Sequence, residues 1–229
     1  MTSAGLTPTS YAILVLLAIK PWTTYELATQ IERTVKRFWP RTRSKLYEEP
    51  KKLVAAGLAE ATKGAHGRRP RTVYSITPAG RDALAAWLAS ESAEPTFESE
   101  HLLKVFYAGS GTTDDVRATL ADLRAWVNER TEHNMRVAPS YVQGTGPFPE
   151  RLPILVLTGR FLDDYLEMID RWATWATEVV ETWPESPNEA EPAPEEMAAT
   201  LHQATVRAER WRAAQPANAT ESAGRKASA

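Results

Sequence analysis

The apolar positions of the first ninety residues recur at intervals that predict a series of short helices. Thr7 followed by a proline is typical of a helix start, and the run behind it is apolar nearly all round, which indicates a buried helix. Thr23 and Glu26 have the spacing of a capping box, so a second helix is expected there. A third helix is predicted from about residue 42 or 44 to residue 56, because Gly57 suits the position just past a helix end.

The third helix has one apolar face and one basic face. Leu46, Leu53 and Val54 would point inward. Pro50 lies inside this helix, and because proline has no backbone N–H we expect it to bend the helix rather than end it. The opposite face carries the cations Arg43, Lys45, Lys51 and Lys52.

Two short strands follow, joined by an arginine-rich turn. Period-two alternation predicts strands over residues 58–63 and 71–77. Residues 64–70, GAHGRRP, indicate a turn through their glycines and proline. Thr77 followed by a proline then starts another helix. The first ninety residues therefore predict a basic helix beside a β-hairpin whose tip is also basic.

The second half of the chain is predicted to be helical. Helices are expected over residues 98–108, 113–137 and 154–183, with a proline- and glycine-rich loop over residues 139–153. In the longest helix, apolar residues recur at steps of three and four through three heptads, which suits a coiled-coil seam. These residues are Leu162, Tyr165, Ile169, Trp172, Ala176, Val179 and Trp183. They could pack on a second copy, inside one subunit against residues 113–137, or both.

Composition divides the chain into five segments. They are a first domain of residues 1–94, a helical domain of residues 95–184, an acidic proline-rich linker of residues 185–194, an accessory helix of residues 195–213 and a polar tail of residues 214–229 that we expect to be disordered.

Charge is distributed unevenly between the two halves. The formal net charge is −2, but residues 1–92 carry +7 and the remainder −9. A cationic half joined to an anionic half suggests that only the first half meets a polyanion. The bland alternative is a chance split between two solvated surfaces. There is no cysteine, which excludes disulfides and thiolate metal sites, and the apolar run at residues 11–19 is too short to cross a bilayer. We expect a cytoplasmic protein without a membrane partner.

Three pieces of the first ninety residues resemble the PadR family of transcriptional regulators. They are AILVLLAIKPWTTYEL, FWPRTRSKLYEEPKKLVAAGL and GRRPRTVYSITPAGRDALAAWL, in the family's order. The resemblance implies a mainly α fold with a small β-hairpin wing, that is, a winged helix-turn-helix domain followed by an α-helical dimerisation domain. It also implies a homodimer, most often a repressor, that binds double-stranded DNA. Two departures are Thr24, where the family often has glycine, and a tail beyond Trp183 that a minimal member does not need.

The basic residues of the third helix and the wing are the candidate DNA contacts. Cations near phosphates gain affinity through counterion release, and long side chains at the start of a recognition helix reach base edges. We predict that Arg43 reads a base and that Lys45, Lys51 and Lys52 contact phosphates. The complete set is Arg41, Arg43, Ser44, Lys45, Tyr47, Lys51 and Lys52 on or near the helix, with His66, Arg68, Arg69 and Arg71 in the wing. The alternative is that these are ordinary solvated charges.

The sequence supports other functions less strongly than DNA binding. Trp126, Trp172, Trp175 and Trp183 could line a pocket between the subunits for a small aromatic effector, although ordinary core or interface packing is the favoured explanation for these tryptophans. The four histidines lack metal-ligand spacing, and no phosphate-binding glycine loop or nucleophile elbow is present, so we predict neither an enzyme nor a metal or cofactor site. The second alternative is a winged-helix protein-interaction module without DNA binding. A neutral third helix and wing would favour it.

Overall fold

The structure is a computed structural model, and it divides the chain into two compact units, residues 1–96 and 97–229. The described residues are 5–36, 38–66, 69–146, 148–191 and 194–214, with side chains described for all except residues 65, 66, 69, 70 and 196.

Within the described residues, the first unit consists of helices packed against a small sheet. The helices are α1 (Pro8–Ile19), α2 (Thr24–Thr34), α3 (Arg43–Ala55) and α4 (Pro78–Leu88), and the strands are β1 (Trp22–Thr23), β2 (Ala59–His66) and β3 (Arg69–Ile76). The predicted boundaries of α3 hold to within a residue or two. The helix continues through Pro50, which is buried.

The three threonine caps predicted from the sequence are confirmed. Thr7 and Ser10 form a reciprocal box at the start of α1. Thr23 Oγ1 and Glu26 do the same for α2, where the Glu26 carboxylate accepts the Thr23 backbone N–H at 2.7 Å. Thr77 Oγ1 accepts the Gly80 N–H at 3.0 Å at the start of α4. Each cap satisfies backbone N–H groups that a helix start leaves without a partner.

The sheet has the strand order β1-β3-β2, and both pairs are antiparallel. β1 was not predicted, because two residues carry no alternation and its pairing of Trp22 with Tyr74 lies far along the chain. The β2–β3 hairpin is longer than expected. Both strands extend into the segment predicted as a turn, as far as His66 on one side and Arg69 on the other.

The core of the first unit lies between α1, α2, α3 and the sheet. Its fully buried side chains include Ile13, Leu14, Leu27, Leu46 and Leu53. Leu46 and Leu53 are two turns apart on α3, so burying them orients that helix. Its basic face must then point to solvent.

The second unit is built on two long helices. Its helices are α5 (Glu100–Phe106), α6 (Thr113–Val142), α7 (Leu152–Val180) and α8 (Pro194–Ala214). Leu120 of α6 clusters with Ala176 of α7, and Val127 clusters with Leu166, so the two helices run in opposite directions. The prediction of a mainly α fold with a small β-hairpin wing and a helical second half is confirmed.

Two predicted segments of the second unit differ from the structure. α6 continues through Pro139 to Val142, into the segment predicted as a loop, and the Gln143 N–H reaches the Pro139 carbonyl at 2.9 Å. Residues 185–191, predicted as part of a linker, are held by polar contacts. The Thr113 N–H donates to the Glu185 carbonyl at 2.9 Å, and the Asn188 amide donates to the Gly109 carbonyl at 2.7 Å.

Candidate nucleic-acid interface

The exposed face of α3 carries most of the predicted contact residues. Leu46, Glu49, Pro50 and Leu53 face inward, and α3 packs on α1 and α2 through that side. The predicted contact residues that are exposed on the helix are Arg43, Ser44, Lys45, Lys51 and Lys52. Tyr47 is half-buried, at the border between the two faces. The structure therefore places the α3 candidates on one accessible side of the helix, and Tyr47 lies at the margin of that side.

Arg43 is held by an acidic partner on α2. Its Nε and Nη2 donate to the two Glu32 carboxylate oxygens at 2.7 Å and 2.6 Å. The Tyr25 ring lies beneath the guanidinium, with its centroid 5.9 Å from Cζ. Hydrogen bonding from Arg43 lowers the pKa of Glu32, and the same hydrogen bond raises the pKa of Arg43. Both groups are therefore charged at neutral pH.

Two of the three predicted phosphate-binding lysines also have acidic partners. Lys51 Nζ lies 2.9 Å from Glu48 Oε1, and both side chains are exposed. Lys52 Nζ lies 2.7 Å from Glu49 Oε1, although Glu49 itself is only 4% exposed. The hydrogen bond that each lysine donates to its carboxylate partner raises the pKa of that lysine. Within the described part of the chain, Lys45 makes no such ion pair.

Glu49 links α3 to α1 from inside the fold. Its Oε2 accepts the Ser10 hydroxyl at 2.5 Å, while its Oε1 faces Lys52. Ser10 is fully buried. A buried carboxylate needs both a counter-charge and a hydrogen-bond donor, and Glu49 has both. The contact face of α3 is thereby fixed relative to α1.

Arg41 lies just before α3, stacked on an aromatic ring. Its guanidinium carbon is 4.2 Å from the Trp39 ring centroid, and Nη1 donates to the Pro40 carbonyl at 2.6 Å. Ser44 Oγ lies 3.1 Å from Thr42 Oγ1. Arg41 is half-buried and keeps donors for a further ligand.

The wing contributes a second basic element. His66 and Arg69 are paired at the tip end of the β2–β3 hairpin, and Arg68 lies outside the described residues. Arg71 is exposed, and its Nη2 is 3.9 Å from Glu26 Oε2. Lys63, which was not among the predicted DNA contacts, is exposed on β2 opposite Thr72. A lysine in a predicted wing strand was the signal that could have identified it.

The acidic partners of the basic side chains were also missed. Glu32 and Glu26 sit on α2, and no spacing rule connects them to Arg43 or Arg71. Only the packing of α2 beside α3 and β3 brings these charges together.

The apolar stripe predicted for dimerisation lies largely inside one subunit. Ile169 and Ala176 are buried against α6, and Tyr165, Trp172 and Trp183 are half-buried on the same two clusters. Leu162 and Val179 are also half-buried. Packing within the subunit is therefore what the structure displays, and a role of the stripe between subunits stays a prediction.

Of the tryptophans predicted to line a pocket, some pack against the core and one is exposed to solvent. Trp126 and Trp172 pack on the cluster that contains Leu123, whereas Trp175 is 44% exposed. Tyr165 sits in the same cluster, and burial raises the pKa of its phenol. An effector role for Trp126, Trp172 and Trp175 stays a prediction.

The described residues offer no metal-ion cluster and no membrane-spanning helix. No group of three histidine, aspartate or glutamate side chains among them could hold a metal ion. Of the helices described, none combines the length and apolar character needed to cross a membrane.

Comparisons with known proteins show what the first unit resembles. Residues 13–86 match the family model described as Transcriptional regulator PadR-like family. The chain is 36% identical over 87 residues to the probable transcriptional regulator Rv1176c of Mycobacterium tuberculosis, covering 38% of this chain and 46% of that protein. It is 28% identical over 99 residues to the negative transcriptional regulator PadR of Bacillus subtilis, covering 42% and 54%. The matched segment spans about half the length of these curated relatives.

Solved structures extend the likeness in fold. Bacillus subtilis PadR in complex with operator DNA superposes with a TM-score of 0.61 at 19% identity, covering 74% of this chain and 99% of that one. The same protein in complex with p-coumaric acid gives 0.58 at 21% identity, covering 76% and 99%. At these identities the likeness establishes the fold. Residues 13–86, which make up most of the winged-helix domain, therefore match the PadR-like family of transcriptional regulators.

Proposed function

We propose that this protein is a sequence-specific, DNA-binding transcriptional regulator rather than an enzyme. The observation that carries the proposal is the exposed basic face of α3 beside a basic wing, on a domain of the PadR-like family. The Bacillus subtilis relative of the same fold is solved with operator DNA, which supports the same use of the domain here.

In this proposal, α3 enters the major groove and the wing follows the backbone. Arg43 reads a guanine edge, with Arg41, Ser44 and Tyr47 near it, while Lys45, Lys51 and Lys52 neutralise phosphates. His66, Arg68, Arg69 and Arg71 contact the flanking backbone or minor groove. Long cationic side chains on an exposed helix suit these roles, because phosphate contacts position a protein and base contacts specify the sequence.

A salt titration tests DNA binding. The full chain is titrated onto a random-sequence 30-base-pair duplex at several salt concentrations, and the logarithm of the binding constant should fall by about 0.9 per phosphate contact per log unit of salt. Lys51→Ala should reduce that slope by about one contact. Lys104→Ala is the matched control, because Lys104 is an exposed lysine paired with a glutamate on α5 of the second unit. Equal slopes for both variants and the wild type would remove Lys51 from the interface.

The alternative of a protein-interaction module gains weight from one observation. Arg43, Lys51 and Lys52 each face a carboxylate, which reduces the positive potential of α3. The same titration distinguishes the alternatives, since a protein-interaction module would bind duplex DNA weakly or with no dependence on salt.

A homodimer is the second part of the proposal, because symmetric half-sites about one helical turn apart match two recognition helices. The heptad stripe of α7 pairs mainly with α6, so the first half of α7 is a further candidate for the partner surface. Ile154, Val156, Leu157 and Phe161 there are between 54% and 73% exposed. A row of large apolar side chains in water is a typical mark of an interface.

Sedimentation measurements test the dimer. We expect the full chain to sediment as a dimer and Leu157→Glu to shift it toward monomer. Leu201→Glu is the control, because Leu201 is a comparably exposed leucine, at 64%, on α8. Dissociation by Leu201→Glu alone would assign the dimer contact to α8 instead.

An aromatic effector and repression complete the proposal. The fold neighbour solved with p-coumaric acid and the tryptophans Trp126, Trp172 and Trp175 support a small aromatic ligand in the second unit. Calorimetric titration of p-coumaric acid into the full chain tests it directly.

Expression of a reporter gene placed behind a selected binding site should be lowered by the protein, because a relative is described as a negative regulator.

A further inference from the structure

The acidic partner of Arg43 uses one particular edge of its guanidinium. Glu32 accepts from Nε and Nη2, at 2.7 Å and 2.6 Å, which is the side edge of the group. A guanidinium has five N–H donors in a rigid fork. Glu32 engages one from Nε and one from Nη2. The parallel pair at the outer end, one N–H on Nη1 and one on Nη2, is left for another acceptor.

That outer pair is the one suited to guanine. The major-groove edge of guanine presents O6 and N7 as two neighbouring acceptors, and an arginine fork binds them through two parallel N–H groups. The Arg43 side chain is 49% exposed even with Glu32 bound, so a base can approach it. The ion pair and a guanine contact are therefore compatible in one geometry.

We propose that Glu32 is a positioning residue that holds Arg43 with its outer edge presented for base reading. This inference rests on the proposed DNA binding and deepens it. Glu32 itself need not touch DNA, and it acts through Arg43.

The surroundings of the pair favour a fixed geometry. Glu32 projects from α2, whose start is secured by the reciprocal hydrogen bonds of Thr23 and Glu26. Arg43 lies in the first turn of α3, so the pair connects two helices that also pack on each other. The Tyr25 ring, which is also on α2, lies beneath the guanidinium with its centroid 5.9 Å from Cζ. A side chain ordered before binding loses less freedom when it meets the base.

A masking role for Glu32 predicts the opposite behaviour. If Glu32 only neutralised Arg43, its removal would strengthen binding to every sequence equally and leave base preference unchanged. If it positions Arg43, its removal should strengthen binding to random DNA slightly, since a negative charge near phosphates disappears, and should weaken the preference for one base.

The experiment selects binding sites for the full-length protein from a synthetic duplex library with a randomised centre. The wild type, Glu32→Gln, Glu32→Asp, Arg43→Lys and the double variant Glu32→Gln/Arg43→Lys are compared by the enrichment of each base at each position. Glu48→Gln is the matched control, because it removes the same charge from a carboxylate that pairs with Lys51 on the exposed side of α3. Circular dichroism and thermal melting confirm that each variant is folded.

We expect Glu32→Gln to lower the preference for guanine at one position of each half-site by at least fivefold and to leave other positions within twofold. Arg43→Lys should abolish the same preference, and the double variant should add nothing to it. Glu48→Gln should keep the wild-type profile. Glu32→Asp, which keeps the charge on a shorter stem, should fall between the wild type and Glu32→Gln.

Three results would overturn the inference. One is a Glu32→Gln profile within twofold of the wild type while Arg43→Lys loses the guanine. Another is an Arg43→Lys profile unchanged at every position, which would show that Arg43 does not read a base. The third is that the wild type selects no sequence at all. That result would also contradict the proposed function, which distinguishes it from the first two results.

Discussion

Gly80 occupies a position where a single added methyl group meets backbone. It lies in the first turn of α4, where its N–H donates to the Thr77 hydroxyl at 3.0 Å. A Cβ built on Gly80 would be 2.1 Å from the Leu58 carbonyl oxygen and 2.8 Å from Ile76 Cγ1. The same Leu58 carbonyl accepts the Thr77 N–H at 3.1 Å. α4 therefore packs closely on the segment between α3 and β2.

We predict that Gly80→Ala destabilises the first unit by about 2 kcal/mol. The Cβ and the Leu58 oxygen would have to separate by roughly 0.9 Å before they reach even 3.0 Å, and backbone cannot rotate aside as a side chain can. Overpacking of this kind costs about 1–3 kcal/mol. Loss of the Thr77–Leu58 hydrogen bond adds about 0.5–1.5 kcal/mol to this destabilisation, and the better helix propensity of alanine offsets about 1 kcal/mol of it.

Thermal unfolding of the full chain, followed by circular dichroism and calorimetry, measures the effect. For a unit of this size, 2 kcal/mol corresponds to a melting temperature lower by about 8–16 °C in the transition of the first unit. Gly64→Ala is the matched control, since Gly64 lies in β2 of the same unit with nothing within 4 Å of its added Cβ. A Gly80→Ala protein that melts at or above the wild-type temperature would refute the packing argument.

Three further predictions concern other parts of the fold. Ser10→Ala removes the donor to buried Glu49 and should lower the free energy of unfolding in urea by about 1–3 kcal/mol, an effect that should shrink in a Glu49→Gln background. The Thr23 hydroxyl and N–H lower the pKa of Glu26, so its contribution to stability is present above about pH 4.3, the ordinary value, and is lost as the pH falls through the lowered one. In urea unfolding from pH 6 to pH 2, the free energy of unfolding should therefore depend less on pH for Glu26→Gln than for the wild type. An equal pH dependence of the two proteins would contradict this. Gly159→Ala should stabilise α7 by about 0.5–1 kcal/mol in calorimetry, because the added Cβ meets nothing within 4 Å, and any loss of stability would contradict it.

Local signals in the sequence predicted the elements of the first unit well. Thr7, Thr23 and Thr77 were identified as caps because a cap and its partner lie within three residues of each other. The boundaries of α3 followed in the same way from Gly57, whose φ of +72° is one that glycine adopts without strain.

Features that depend on distant partners escaped prediction. β1 is a strand only because Trp22 and Thr23 pair with β3, about fifty positions later. The heptad stripe of α7 was consistent with a partner on either side, and sequence spacing cannot distinguish α6 of the same chain from a second copy. The carboxylates beside Arg43, Lys51 and Lys52 reduce the charge of the predicted interface, and the one on Glu32 is set by helix packing alone.

The stacking of Arg41 on Trp39 has a spectroscopic consequence. The indole N–H of Trp39 donates to Thr9 Oγ1 at 3.1 Å, so the ring is held while the cation 4.2 Å from its centroid can move. Indole emission depends on the local electric field, and withdrawal of Arg41 toward a phosphate would change it. Trp39 should thus report the engagement of DNA through intrinsic fluorescence, without any attached dye, and a Trp39→Phe variant isolates its share of the signal.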